Sequence, residues 1–220
     1  MGQIISALQS KGGTGKTTIL AILADRMASD GAKVYALDTD PESTLKPWAI
    51  RMAQKNGYEL TTGNHLEPET VAKRAKELAK DYDVVLVDTP GVFHAGIFHI
   101  IAASDLVLVP TAPSTFDLRG LVKTFENISQ TEDSLGRKVN ARVVLSRWKT
   151  DRQLSKALLN QINSKKLPAV KKPLKDLQGI TEICSAYVPL AGTAKACVNE
   201  FIASMQYDNL LPFYSMNEVA

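Results

Sequence analysis

Ser10-Lys11-Gly12-Gly13-Thr14-Gly15-Lys16-Thr17-Thr18 decides how this chain is read. The apolar run Ile4-Ile5-Ser6-Ala7-Leu8 ahead of it predicts a short buried strand, and Ile19-Leu20-Ala21-Ile22-Leu23-Ala24 behind it predicts the first turns of a helix. Strand, glycine-rich turn and helix in that order are the setting of a phosphate-binding loop. The glycines let backbone N–H groups turn toward an anion, because no Cβ blocks the approach. The helix N-terminus adds aligned dipoles and unpaired N–H donors. Gly12, Gly13, Thr14, Gly15, Lys16, Thr17 and Thr18 are therefore the expected nucleotide cradle. Lys16 would reach the β- and γ-phosphates of ATP, and the Thr17 hydroxyl would ligate Mg²⁺.

Ser10 stands where the general G-x-x-x-x-G-K-[ST] pattern has its first glycine, and Lys11 adds a second lysine to the loop. The whole stretch resembles the deviant Walker A motif of the ParA/MinD group of P-loop ATPases. That resemblance implies a homodimer formed on ATP binding. It also implies that Lys11 is a signature lysine, crossing the dimer interface to the nucleotide of the other subunit.

Outward from the loop, Lys33-Val34-Tyr35-Ala36-Leu37 predicts a second strand, ending in Asp38-Thr39-Asp40-Pro41. Carboxylates two residues apart on an extended strand end face the same side. At the C-terminal edge of a parallel sheet, both would sit beside the phosphates. By the resemblance, Asp40 would position the attacking water and Asp38 would support the Mg²⁺ shell, though Glu42 stands where relatives often carry Gln. Asp83-Val84-Val85-Leu86-Val87-Asp88 is a continuous apolar run ending in a carboxylate, as a fully buried parallel strand would be. It resembles a Walker B element, with Asp88 as the Mg²⁺ ligand, and Thr89-Pro90-Gly91 resembles the family's switch region. Leu106 to Pro110 predicts another buried strand, followed by Thr111-Ala112-Pro113-Ser114-Thr115-Phe116-Asp117. That turn resembles the family's lead into a helix at the dimer face, and Ser114 with Asp117 also makes a capping box.

The remaining pattern predicts strands at about 3–9, 33–38, 84–88, 106–110 and 141–146. Helical stretches fall near 43–56, 68–80, 119–130, 151–163, 176–185 and 191–206, with a short strand at 58–60, a loop at 63–65 and a last short strand over 168–173. The expected fold is α/β, a mostly parallel sheet with helices on both faces, in a single P-loop ATPase domain over residues 1–220. Its nucleotide-site motifs lie within 9–118. By position in relatives, Arg147 or Trp148 would stack on the adenine. His65, His94 and His99 read as surface or structural residues.

Composition excludes several classes. The chain of 220 residues is 45% hydrophobic and 22% charged, ordinary for one soluble domain. Cys184 and Cys197 are too few and too far apart for a metal cluster or a disulfide framework, and fit a reducing cytoplasm. No basic leader precedes the first strand, so no signal peptide is expected. No apolar run approaches a membrane span. The tail from Tyr207 to Ala220 lacks Lys and Arg, which argues against a basic amphipathic membrane anchor.

Residues 136–200 carry thirteen Lys and Arg against four Asp and Glu, a balance of +9. This basic C-terminal half predicts affinity for a polyanion. With the resemblance, it implies a cytoplasmic, nucleoid-associated ATPase that binds DNA non-specifically and partitions or positions a cargo. The chain is most like the small single-domain ParF-like or VirC-type members. A small centromere-binding or adaptor protein would stimulate hydrolysis. Clustering selects Lys149, Arg152, Lys156, Lys165, Lys166, Lys171, Lys172 and Lys175 as DNA contacts. The alternatives are a MinD-like membrane-associated ATPase and a small-molecule P-loop ligase of the dethiobiotin-synthetase type.

Overall fold

The apolar runs pair into one sheet in a computed structural model, in which residues 1–91 and 96–212 are described. In chain order the strands are β1 (Gln3–Ala7), β2 (Val34–Asp38), β3 (Leu60–Asn64), β4 (Val84–Asp88), β5 (Leu106–Thr111) and β6 (Ala141–Leu145). The helices are α1 (Lys16–Ser29), α2 (Leu45–Asn56), α3 (Val71–Leu78), α4 (Ile97–Ala103), α5 (Thr115–Leu135), α6 (Gln153–Ser164), α7 (Gln178–Ser185) and α8 (Gly192–Tyr207). Sheet order is β3-β2-β4-β1-β5-β6, with every pairing parallel.

Parallel strands need crossovers, and these put helices on both faces. Successive side chains of β1 serve different layers. Ile5 and Ala7 join the core under α1, α2, α7 and α8, whereas Ile4 joins the core under α3, α4, α5 and α6. α1 is buried almost all round, as a helix packed between sheet and neighbours must be. The Trp48 ring of α2 is fully buried, and its Nε1 donates to the Ile183 carbonyl at 2.9 Å, tying α2 to α7.

The chain leaves β1 toward β2 on one side of the sheet and reaches β5 on the other. β1 therefore lies at the topological switch point, where the strand C-termini open a crevice. The Asp38–Asp88 pairing of β2 with β4 puts two carboxylate residues on that same edge.

Three expectations need correction. Gly63 and Asn64 are not loop residues, because β3 runs through them and pairs with β2 as an edge strand. The small size of Gly63 leaves room for the Tyr35 hydroxyl, which lies where a Cβ would be. Residues 168–173 make no strand, only an isolated bridge from Ala169 to Val143. Finally, α4 is an additional seven-residue helix. His99 lies on it and is exposed, while His94 falls outside the described residues, as does the tail beyond Pro212. His65 is half-buried against the Thr70 hydroxyl at 2.7 Å.

The segment ahead of α3 lies so close to the N-cap of α4 that a Cβ on Gly96 would lie 2.6 Å from the Pro68 carbonyl carbon and 2.8 Å from its Cβ. Backbone cannot yield as a flexible side chain does. Gly96→Ala should therefore cost about 1–3 kcal/mol, measured as a lower urea midpoint with unchanged slope. An unchanged midpoint would show that Pro68 does not pack this tightly on the start of α4.

Candidate nucleotide site

The loop leaves β1 and enters α1 through Gly13 at φ 72° and Gly15 at φ 101°. Both values lie in the left-handed region, where a Cβ is penalised and glycine is not. Gly15 caps α1 without a side-chain hydrogen bond, so the first N–H groups of the helix are left for an incoming anion. The loop is tied to the sheet from behind by the Ser146 hydroxyl, which donates to the Thr14 carbonyl at 2.8 Å.

A cleft of about 590 Å³ opens over the loop, within the range of ligand pockets. Gly12, Gly13, Gly15, Lys16, Thr17 and Thr18 line it, with Asp40, Pro41 and Glu42 on one wall and Pro90, Gly91 and Arg147 on others. Pro90 and Gly91 lie just past β4, after Thr89, and a Cβ on Gly91 would sit 3.1 Å from the Gly12 nitrogen, so this segment rests on the loop.

Lys16 is 7% exposed, and among the described residues its Nζ has only long contacts, 3.5 Å to the carbonyls of Gln9 and Lys11. Burial lowers its pKa, against the opposing pull of Asp88 and Asp40. Asp88 is 1% exposed. Its Oδ2 accepts from the Thr17 hydroxyl at 2.6 Å, while Oδ1 is buried without a partner among the described residues. Burial pushes the Asp88 carboxyl up to about 7, the Thr17 hydrogen bond and Lys16 oppose this, and Asp38 and Asp40 add to it.

A hydroxyl, an orphaned carboxylate oxygen and room for phosphates make the oxygen-only donor set of Mg²⁺, which takes one or two carboxylates and keeps its waters. Thr17 and Asp88 therefore fit the cation. The described residues hold no group of three or more His, Cys, Asp or Glu suited to a metal.

Asp38 and Asp40 do not share a task here. Asp40 lines the cleft. Asp38 is fully buried, and its oxygens accept from the Asp40 nitrogen at 3.2 Å, the Ser43 hydroxyl at 3.2 Å and the Lys46 nitrogen at 3.0 Å. It folds the 38–46 turn and caps the start of α2, which places Asp40.

Lys11 is drawn away from the cleft. Its Nζ pairs with the Asp117 carboxylate, which is 3% exposed and also accepts from the Ala112 nitrogen at 3.1 Å. The Ser114 hydroxyl accepts from the Asp117 nitrogen at 3.1 Å, so half of the expected capping box forms and its acid serves Lys11 instead.

A smaller recess continues the cleft past Gly15, Thr18 and Arg147 to Leu174, Lys175, Asp176, Ile180 and Thr181. Arg147 lines both, at φ 50°, whereas Trp148 is 5% exposed and packed in the core. The base-stacking expectation therefore survives for Arg147 alone. Sequence reading missed both cysteines here. Cys184 hydrogen-bonds with Thr18, its thiol pushed up to about 12 by burial, and Cys197 accepts from the Lys175 nitrogen at 3.4 Å beneath the recess. A groove of about 610 Å³ at the far end of α1, around Asp25 and Tyr58, lies away from the loop.

A glycine loop at a buried helix N-terminus, facing the C-terminal edge of a parallel sheet, defines a P-loop nucleotide-binding protein. Residues 5–184 match the CobQ/CobB/MinD/ParA nucleotide binding domain, and the chain belongs to that family. It is 30% identical to Protein ParA of Rhizobium radiobacter over 65% of this chain and 64% of that protein. It is 31% identical to the maintenance of carboxysome distribution protein A of Gloeobacter kilaueensis, over 56% of this chain and 55% of that one. The chain thus spans less than two thirds of the length of these relatives. Protein virC1 of Rhizobium rhizogenes is 27% identical over 78% of this chain and 76% of its own. The fold superposes on a plasmid partition protein of Borrelia burgdorferi bound to AMPPNP, with TM-score 0.71, 16% identity and coverage of 95% and 99%. It superposes equally on a cobyrinic acid a,c-diamide synthase of Mycobacterium smegmatis with ADP and magnesium, with TM-score 0.70, 18% identity and coverage of 99% and 100%.

Proposed function

We propose that this chain is an Mg²⁺-ATP-dependent positioning ATPase: ATP joins two copies, the pair holds DNA without sequence preference, and hydrolysis releases it. The observation that carries the reading is the division of labour between the two loop lysines. Lys16 faces its own cleft, while Lys11 leaves it for Asp117 on α5. A loop lysine turned out of its own site is suited to completing another subunit's site.

In this reading the loop N–H groups and Lys16 bind the phosphates, and Thr17 and Asp88 hold Mg²⁺. The cation supplies charge neutralisation at the β- and γ-phosphates. Asp40, on the cleft wall, orients the attacking water. Residues 1–220 act as one domain. A relative named for maintenance of carboxysome distribution and a chromosome-partitioning ATPase of Thermus thermophilus, 28% identical over 56% of this chain, support the positioning role. An adaptor protein that stimulates hydrolysis completes the cycle. No described helix is long and apolar enough to cross a membrane.

The basic patch narrows on inspection. Lys149 pairs with Asp176 at 2.9 Å, Lys171 with Asp208 at 2.5 Å and Lys172 with Glu200 at 3.9 Å, and Lys175 lines the recess. Arg152, Lys156, Lys165 and Lys166 are exposed at the two ends of α6 and are the better DNA contacts.

Binding to non-specific duplex DNA should require ATP, weaken steeply with salt, and fall at least about tenfold in Lys11→Ala. Removing the four α6 charges from each copy of the pair should flatten the salt slope by up to roughly seven units. Absence of DNA binding in every nucleotide state would sink the DNA arm. ATP-dependent sedimentation with anionic vesicles would then favour the MinD-like alternative, with which the family is also compatible. Turnover needing a small acceptor would favour the ligase.

A further inference from the structure

Gln9 stands one residue ahead of the loop and is 0% exposed, yet its side chain turns to α5 rather than to the cleft. Its Oε1 accepts from the Ser10 nitrogen at 2.9 Å and from the Thr124 hydroxyl at 3.3 Å, and its Nε2 donates to the Pro110 carbonyl at 3.1 Å. One buried amide thus joins the loop entry, the end of β5 and the third turn of α5.

α5 makes room for it. A Cβ on Gly120 would lie 2.5 Å from Gln9 Oε1 and 3.2 Å from both Gln9 Cδ and Ser10 Oγ. Glycine inside a helix is unfavourable relative to alanine, so this notch is kept against local propensity. The single Thr124 O–H is shared: its shorter branch goes to the Gly120 carbonyl at 2.8 Å, which fixes the hydroxyl beside the notch, and the 3.3 Å approach to Gln9 Oε1 is the weaker branch. Two positions on, Lys11 pairs with Asp117 of the same helix. Ser10 is therefore bracketed by two residues, both anchored on α5.

We propose that Gln9 is a positioning residue that couples phosphate binding in the loop to the placement of the first half of α5. Inward rotation of the loop N–H groups onto an anion moves Ser10, and Ser10 cannot move without the amide seated in the Gly120 notch. The inference rests on the reading of the loop as a nucleotide site, and it needs no second copy of the chain.

The test is hydrogen exchange of the full chain with and without Mg²⁺-AMPPNP, at saturation for each variant by a fluorescent ATP analogue. Sedimentation velocity in the same buffers gives the oligomeric state. Gln9→Leu keeps the volume and removes the amide. Gly120→Ala keeps the amide, fills the notch and favours the helix, so it guards against a mere folding defect. In the wild type, nucleotide should slow exchange at residues 117–128 about fivefold or more. In both variants that slowing should fall below about twofold while residues 10–19 stay protected. Slowed α5 in a wild-type monomer supports the coupling even if no dimer forms. Equal slowing of α5 in all three proteins, or protected loop residues without slowed α5 in the wild type, would overturn it. Loss of protection at the wild-type loop itself would overturn the nucleotide reading and the coupling with it.

Discussion

Lys16→Met should cut ATP turnover about 10³-fold, roughly 4 kcal/mol of transition-state stabilisation, without lowering the denaturation midpoint of the nucleotide-free protein. The two halves of this expectation have one cause. The ammonium sits 7% exposed at the foot of the cleft, and its contacts to the Gln9 and Lys11 carbonyls are 3.5 Å long. Such contacts are weak hydrogen bonds, so the charge is under-satisfied until an anion arrives. Burial lowers its pKa. For a lysine this means that folding disfavours the charged form, a cost present below the folded pKa and relieved as pH rises through it. At neutral pH, removing the charge while keeping the apolar stem relieves that cost. Phosphate release and thermal denaturation on the same preparation check both halves. Turnover within tenfold of wild type would mean that Lys16 does not act on the transferred phosphate.

The parts of the fold that were legible in the sequence are those whose residues are dictated locally. β4 was read at its true bounds because a strand buried on both faces must be continuously apolar, and only its edge position can carry Asp88. The loop was legible because left-handed φ at Gly13 and Gly15 admits few other residues. β3 was not, since Gly63 and Asn64 carry weak strand propensity and enter the sheet through their pairing with Leu37 and Asp38 of β2, 26 positions earlier in the chain. Arg147 and Trp148 are adjacent, and nothing in their order says which faces the cleft. The left-handed φ of Arg147 sends one outward and the other into the core.

The site divides in the same way. Residue types on the cleft wall could be listed from the motif, but partnerships across the chain could not. Lys11 and Asp117 lie 106 positions apart, and Gln9 and Thr124 lie 115 apart. Asp38 and Asp40 looked equivalent because both end a strand at i and i+2 spacing. The chain turns sharply at Pro41, and the turn needs an internal acceptor, which Asp38 supplies to Ser43 and Lys46. Two carboxylates on one edge thus become one structural group and one exposed to the cleft.

Asp88→Asn separates the cost of the metal site from its use. The variant should lose about 10²-fold or more in Mg²⁺-dependent turnover, because an amide is a poor ligand for a hard cation. Without nucleotide, and with EDTA present, it should be more stable than wild type at pH 8. Asp88 is 1% exposed, with Oδ1 unpartnered among the described residues, and burial pushes its carboxyl up to about 7. A carboxyl whose folded pKa exceeds its unfolded value binds its proton more tightly when folded. Stability is therefore lost as pH rises from the unfolded pKa through the folded one, about 4 to 7, and the full loss persists above. Three units correspond to about 4 kcal/mol, and relaxation around an ionised Asp88 makes 2–4 kcal/mol the expected gain at pH 8. Urea denaturation at pH 8 and pH 4.5 measures it, with the gap between variant and wild type shrinking at the lower pH. Mg²⁺-ATP should then stabilise the wild type at pH 8 more than the variant, since the loop and Lys16 bind phosphate in both but only the wild type has an anionic oxygen to give the cation. A gap independent of pH would mean that Asp88 is already ionised and satisfied in the empty site, and that the orphaned oxygen is not reserved for a cation.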